Sequence, residues 1–510
     1  MTLERSAIYD STQPLVDMIS EQECSRLVTD GAIAAPDTDI AGIGVILAFL
    51  ISAYMTFAAV LIAYITGMVE NELLGLVDRR LFRIRSLIQH YPRVQTALRK
   101  FVLSLSDQQI VTGIAIMAAG LRGLAKGNIS TYHYQIVLYL AWLSSSVHLS
   151  AISLLTPYLS TNHGLRTWRL VGMLALLIML LIGLVPTLSD NWGTINDFYD
   201  PYHDIQPTGW GVPAVCFWGR TYGAGVNNDA PLGYAILVVS YVWKFGELLI
   251  SPQRLYRLAV RSPVRILMEI PLCAIARQYA RRRQMRHLIA FRLYLTLCLP
   301  PLAVLETLVS FSAALWLSVL GLVFGTLQIV IPRNQNLAST AELEEKWGFG
   351  QLVPLVLLIQ PLGALTEDIG VRHNKHHGQE VEMEASTPMT PESIRPMLLQ
   401  PPKPSNHRTS TPLISIMGEV YCQANTANEP SEFITVVGRS RLFTLLCGSL
   451  QFTIIMGATL VFYVDASTIG YYRGANWRLF TVAIGLYTLS SWLCIAALGP
   501  YSRLGRKIIR

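Results

Sequence analysis

Charge is what this chain has little of. Only 14% of its 510 residues are Asp, Glu, Lys or Arg, whereas 52% are hydrophobic and the mean hydropathy is +0.40. Soluble domains carry about 25% charged residues, so an ordinary water-soluble globule is excluded. Cysteine is also scarce, seven in all and no C-x-x-C. That excludes a disulfide-dense scaffold and a paired-cysteine zinc site. No Walker A, G-x-S-x-G or H-E-x-x-H motif occurs. No soluble-type catalytic centre and no cofactor is implied, and an intramembrane enzyme is left as an alternative reading. The first 39 residues lack an apolar core of signal-peptide type, so no cleaved signal is expected and the first membrane helix directs insertion.

What the chain does have is recurrent apolar runs of about 20 residues, each long enough to cross a hydrocarbon core of about 30 Å as a helix. The expected fold is all-α, a polytopic transmembrane helix bundle of about nine spans. These fall near 40–66, 108–126, 132–155, 168–188, 232–250, 303–331, 350–366, 441–464 and 479–499. The segment Tyr294–Ile331 is long enough for two short spans. Reading it as one, preceded by an interfacial piece at Leu295–Pro301, keeps the basic segments on one side.

The net charge of +7 is unevenly spread. Residues 251–292 hold ten arginines against Glu269, and residues 1–39 hold eight acids against Arg5 and Arg26. Such asymmetry is the positive-inside signal. It puts the N-terminus outside and the C-terminus, with Arg503, Arg506, Lys507 and Arg510, in the cytosol. The expected organisation is an acidic extracytosolic segment 1–39, a bundle 40–366 with basic cytosolic loops, a disordered cytosolic loop 367–440, and two last helices with a basic tail over 441–510. The loop 367–440 is rich in proline and poor in aromatics, which leaves it too little apolar surface to fold alone. The basic loops are suited to anionic lipid headgroups, with Arg254, Arg257, Arg261 and Arg265 spaced along one helix face. Nothing in the distribution calls for nucleic acid.

"LSDQQIVTGIAI", Leu105 to Ile116, sets four polar residues against an apolar run. Ser106 and Gln109 have the S-x-x-Q spacing of a capping box, and Asp107 would favour the positive end of a helix dipole. The expectation is a helix cap at Ser106, Asp107 and Gln109, with a pore or substrate role as the alternative. The same stretch, with "YHYQIVLYLAWLSSSVHL" (Tyr132–Leu149), "DIAGIGV" (Asp39–Val45) and "WGFGQLVPLVLL" (Trp347–Leu358), resembles a family of fungal multi-pass membrane proteins. The resemblance implies an integral membrane protein of unassigned activity, accessory to a secondary-metabolite pathway. It implies no catalytic or binding residues.

Other polar residues are candidates on their own chemistry. Lys244, Glu247, Glu306 and His148 fall within apolar spans, where ionisable groups mark function by default. Lys244 and Glu247 stand three apart, on one helix face. They are expected to face the bundle interior near Glu306 and His148, either tying helices together or lining a cavity for a transported ion or substrate. Asp197, Asp200 and Asp204 in "NDFYDPYHD" match the first metal-diphosphate signature of intramembrane prenyltransferases. The second aspartate motif of those enzymes is missing, and Pro201 interrupts the helix that the spacing needs. A chance acidic loop competes with that reading. Cys24 and Cys216 are the two cysteines on the outer side. They can form a disulfide there or remain two free thiols.

Overall fold

The computed structural model describes residues 19–32, 34–189, 192–193, 209–218, 229–249, 262–282, 284–344, 347–363, 437, 440–467 and a few positions between 485 and 493. Among them the structure is helical. Six helices are long and apolar enough to cross a membrane, so the chain is of membrane type.

Helix α1 (Glu21–Asp30) is a short polar helix whose N-cap Ser20 accepts from the Glu23 amide. The helices α2 (Ile43–Ile65), α4 (Pro92–Lys126), α5 (Thr131–Thr161) and α6 (His163–Gly183) form the first part of the bundle. Between α2 and α4 lies the one-turn helix α3 (Leu76–Arg80). After them come α7 (Asp229–Leu249), α8 (Ile270–Arg282), α9 (Met285–Leu308), α10 (Phe311–Glu344), the short α11 (Phe349–Leu357) and α12 (Arg441–Ser467).

The centre of the bundle is α5. Its membrane-crossing stretch is wholly buried, although it is less apolar than α2, of which only half is buried. Helices α2, α4, α6, α7 and α10 pack around α5. Their outer faces carry the large exposed apolar side chains, such as Ile51, Ile62, Val171, Leu174, Ile178 and Val239. Lipid takes the most apolar surfaces and the protein interior takes the polar helix, because a hydroxyl or amide inside the bundle finds a partner that lipid does not offer. Close approach is set by small residues. A Cβ at Gly113 of α4 would lie 2.3 Å from Ser144 Oγ of α5. Helix α4 ends at Gly127, left-handed at φ 67°. That conformation is open to glycine at little cost, and it turns the chain directly into α5.

Contacts sort the helix ends into two groups. At one end, the Thr131 amide donates to the Val212 carbonyl (2.7 Å) and the Ala214 amide to the Ile129 carbonyl (2.9 Å). Here Cys24 of α1 is joined to Cys216 by a disulfide with a Cα–Cα separation of 5.4 Å. At the other end, Asp78 of α3 is fully buried. Its carboxylate accepts from Tyr64 Oη (2.7 Å) and from the amides of Gly75 (2.9 Å), Phe311 (2.9 Å) and Ser312 (3.1 Å). A buried carboxylate at the first amides of α10 fixes where that helix begins.

This corrects the single span at 303–331. The chain there belongs to two helices, α9 and α10, that part at Val309 and Ser310, and Pro300 and Pro301 lie inside α9 rather than in an interfacial segment. The break is made by Asp78 from far away in sequence. Helix α10 starts beside α3 and ends with Glu344 beside the start of α5, so it runs antiparallel to α5. Helix α9 instead packs on α8 and α12, forming a second apolar cluster with Phe291, Leu295, Leu299, Leu302, Phe443 and Leu446. The expected span at 350–366 meets only the short α11, and the one at 441–464 falls on α12; neither is among the six helices of membrane length. All of the loop 367–440 but Val437 and Ser440, most of the span at 479–499 and the basic C-terminal tail lie outside the described residues, as do Arg254, Arg257 and Arg261.

Candidate intramembrane polar site

The expected cap at Ser106, Asp107 and Gln109 is not one. Helix α4 begins at Pro92, fourteen residues before Ser106, and runs unbroken through all three. Ser106 and Gln109 are buried. Ser106 Oγ lies 2.8 Å from His148 Nδ1 of α5 and accepts from Arg169 Nη1 of α6 at 2.9 Å. Arg169 Nη2 donates to Asp107 Oδ1 at 2.6 Å and to the Leu103 carbonyl at 3.2 Å. The guanidinium can only donate, so the Ser106 hydroxyl is an acceptor toward Arg169 and joins it to the imidazole of His148. Residues from three helices thus share one network. Arg169 and His148 are fully buried and Asp107 reaches the surface, with 37% of its side chain exposed. Ser144 donates to the Gln109 backbone carbonyl, adding a tie between α4 and α5.

On another face of α5 lies the pair expected from the sequence. Lys244 of α7 is buried, and its Nζ donates to Glu247 Oε2 (2.8 Å) and to Ser153 Oγ of α5 (2.6 Å). Glu247 Oε1 also accepts from Trp243 Nε1 at 2.7 Å. The ammonium lines a small cavity of about 20 Å³, room for about one water molecule, between α5, α7 and α10; its polar wall is Ser145, Ser146, Ser240 and Ser318 and its apolar wall includes Trp142 and Leu317. The indole of Trp142 donates to the Gly321 carbonyl at 2.9 Å, anchoring α10.

Two expected neighbours of this pair are elsewhere. His148 and Ser153 stand five residues apart, about 140° around α5, so His148 faces α4 and α6 instead. Glu306 lies on α9 in the second cluster, buried beside Cys447 of α12. Asp197, Asp200 and Asp204 lie outside the described residues. Within those residues no group of three or more His, Cys, Asp and Glu side chains is arranged to hold a metal ion.

A third polar cluster was not foreseen. Glu344, at the end of α10, is buried and accepts from Tyr132 Oη (3.1 Å), while its other oxygen lies 3.1 Å from His133 Nε2. Arg333 lies 3.8 Å from Glu344 and donates to the Ala41 carbonyl at 2.6 Å. Ser130 Oγ lies 2.7 Å from His133 Nδ1. Glu344 sits in the polar stretch "AELEEKWG", which reads as a loop; Arg333, just after an apolar run, was the one available signal.

Removing one member of a desolvated ion pair strands the other, at a cost of a few kcal/mol. Lys244→Met is therefore expected to lower unfolding stability by about 2–4 kcal/mol, and Lys244→Met with Glu247→Gln by distinctly less. Detergent-titrated denaturation of the purified protein measures both. Additive losses in the double variant would show that the two groups do not pair.

No family model matches this chain, and no solved structure does. Two curated proteins of the fungus Elsinoe fawcettii are similar to it. Elsinochromes biosynthesis cluster protein HP3 is 35% identical over 109 residues, which is 21% of this chain and 43% of that protein. Elsinochromes biosynthesis cluster protein HP2 is 28% identical over 209 residues, which is 39% of this chain and 51% of that protein. The chain thus spans about half the length of the curated relatives it matches.

Proposed function

We propose that this protein is a multi-pass membrane protein that serves a fungal secondary-metabolite pathway as an accessory component. The observation that carries the reading is the likeness to two biosynthesis-cluster proteins in a chain with six membrane-length helices. Deleting the gene in its own fungus is expected to change the amount or the cellular distribution of one secondary metabolite without stopping growth. Comparative metabolite profiling of cells and medium measures this. An unchanged profile under producing conditions would refute the reading.

A transport role is the second reading, favoured by the buried Lys244 ammonium on the wall of a serine-lined cavity. Complementing the deletion with Glu247→Gln separates the two. Loss of metabolite export with normal protein level supports transport, and full complementation removes its best support. The prenyl-transfer alternative rests on Asp197, Asp200 and Asp204 alone, and no other observation joins them.

The proposed orientation puts the acidic N-terminal segment outside and the arginine-rich segment 251–292 in the cytosol, against anionic headgroups. Two features support it. The disulfide between Cys24 and Cys216 belongs at an oxidising face. The end of the bundle with α3 and Ser310 is the one that α7 approaches before the arginine-rich segment. A reporter fused at residue 275 is expected to report cytosol. A lumenal signal there would overturn the orientation.

A further inference from the structure

Helix α9 has the length and apolarity of a membrane span, but the path of the chain puts both of its ends on one side of the bundle. Helix α7 leads from the disulfide end to the α3 end. Near its start, Tyr234 Oη donates to the carbonyl of Leu181 in the last turn of α6 (2.8 Å). That turn adjoins the first turn of α5, where Tyr134 Oη donates to the Gly183 carbonyl (3.0 Å). Further along α7, Lys244 meets Ser153, well down α5 toward the α3 end. Helix α10 begins at that same end, where the Phe311 and Ser312 amides meet Asp78. Between α7 and α10 the chain therefore crosses the membrane an even number of times. If α9 crossed, residues 250–284 would have to cross as well. They hold eight arginines and Glu269, and their longest run without a charge is seven residues, against the roughly 20 apolar residues that a span needs. Helix α9 thus stays on the α3 side. Its packing agrees: among the described residues it lies on α8 and α12 and packs on none of α2, α4, α5, α6 and α7.

There α9 has two faces. Phe291, Leu295, Leu299 and Leu302 are buried in the cluster with α8 and α12. Met285, Ile289, Leu293 and Leu297, four residues apart, are 58–69% exposed. Ile270 of α8 and, just before that helix, Ile266 and Leu267 are exposed too. Tyr294 Oη donates to the Leu267 carbonyl at 2.5 Å, which brings this second apolar patch alongside α9. Toward the join of the two helices, Arg277, Arg281, Arg282 and Arg286 are exposed. An apolar stripe bordered by arginines is the pattern of a helix lying in the plane of a bilayer surface. We propose that α8 and α9 form a hairpin laid on the leaflet at the α3 end, with the stripe at the acyl boundary and the arginines among the phosphates of anionic lipids. Lipid fits this face better than a protein partner does. The turn at Val309 and Ser310 holds α9 at the level where α10 enters the bundle, and residues 270–292 carry six arginines and no acid. The placement holds whichever side of the membrane is cytosolic; only the headgroup charge rests on the reading of segment 251–292 given above.

Two measurements on the full chain test this. Epitope tags are inserted after Gln284 in one variant and after Ser86, between α3 and α4, in another, and protease protection in sealed microsomes reports the side of each. Both tags are expected on the same side. Tags on opposite sides would overturn the proposal, because α9 would then cross; both tags on the lumenal side would uphold it and overturn only the orientation proposed above. A benzophenone amino acid at Leu293 is then photolysed in proteoliposomes of a zwitterionic and an anionic phospholipid. Lipid adducts are expected, with the anionic lipid enriched about fivefold over its share, the weight of one arginine at a membrane surface. Arg281→Gln with Arg282→Gln and Arg286→Gln should return the adducts to the mixing ratio. Crosslinks to protein alone, a second copy included, would overturn the lipid as occupant. Adducts at the mixing ratio in the chain with its natural arginines would overturn the anionic contact.

Discussion

The packing around α5 depends on one constraint: a polar side chain at membrane depth finds its partners on neighbouring helices, because lipid offers none. The central helix α5 is wholly buried and carries Ser144, Ser145, His148 and Ser153, and each of these meets a polar group on a surrounding helix. Water could satisfy them in a soluble protein, at no cost in specificity. In hydrocarbon only a neighbouring helix can, so each polar residue of α5 selects the helix that packs there. Ser144 and His148 select α4, Ser145 and Ser153 select α7, and the Trp142 indole selects α10.

The same constraint concentrates chemistry. Arg169, Lys244 and Glu344 are buried charges, and each reaches a carboxylate, a hydroxyl or an imidazole from another segment. Such groups tie helices together and, where a cavity adjoins them, also give a ligand something to recognise. Lys244 adjoins one such cavity.

Much of this was legible in the sequence. The apolar runs located α2 and α7 to within three residues and α5 and α6 to within six, because a bilayer imposes length and composition together. The pairing of Lys244 with Glu247 could be read from their spacing, and their inward orientation from the cost of leaving a charge in lipid. The beginning of α4 could not be read. S-x-x-Q marks a cap only when the chain before it is not helical, and the segment from Pro92 contains no breaker. Nor could the division of α9 from α10, since it depends on Asp78 reaching the Phe311 and Ser312 amides across more than 230 residues. The partners of His148 were missed for a similar reason: helical spacing gives the face of one helix, not which neighbour covers it.

The most direct test of internal satisfaction is Arg169, fully buried between α4 and α6 and bonded to Ser106, Asp107 and the Leu103 carbonyl. The measurement is the Tm of purified Arg169→Met beside that of Val171→Ala, a change on the exposed face of the same helix. If polar satisfaction holds the bundle together, Arg169→Met lowers Tm by at least several degrees while Val171→Ala leaves it nearly unchanged. Equal Tm values for the two variants would contradict that claim, because the network around Ser106 and His148 would then be dispensable to the fold.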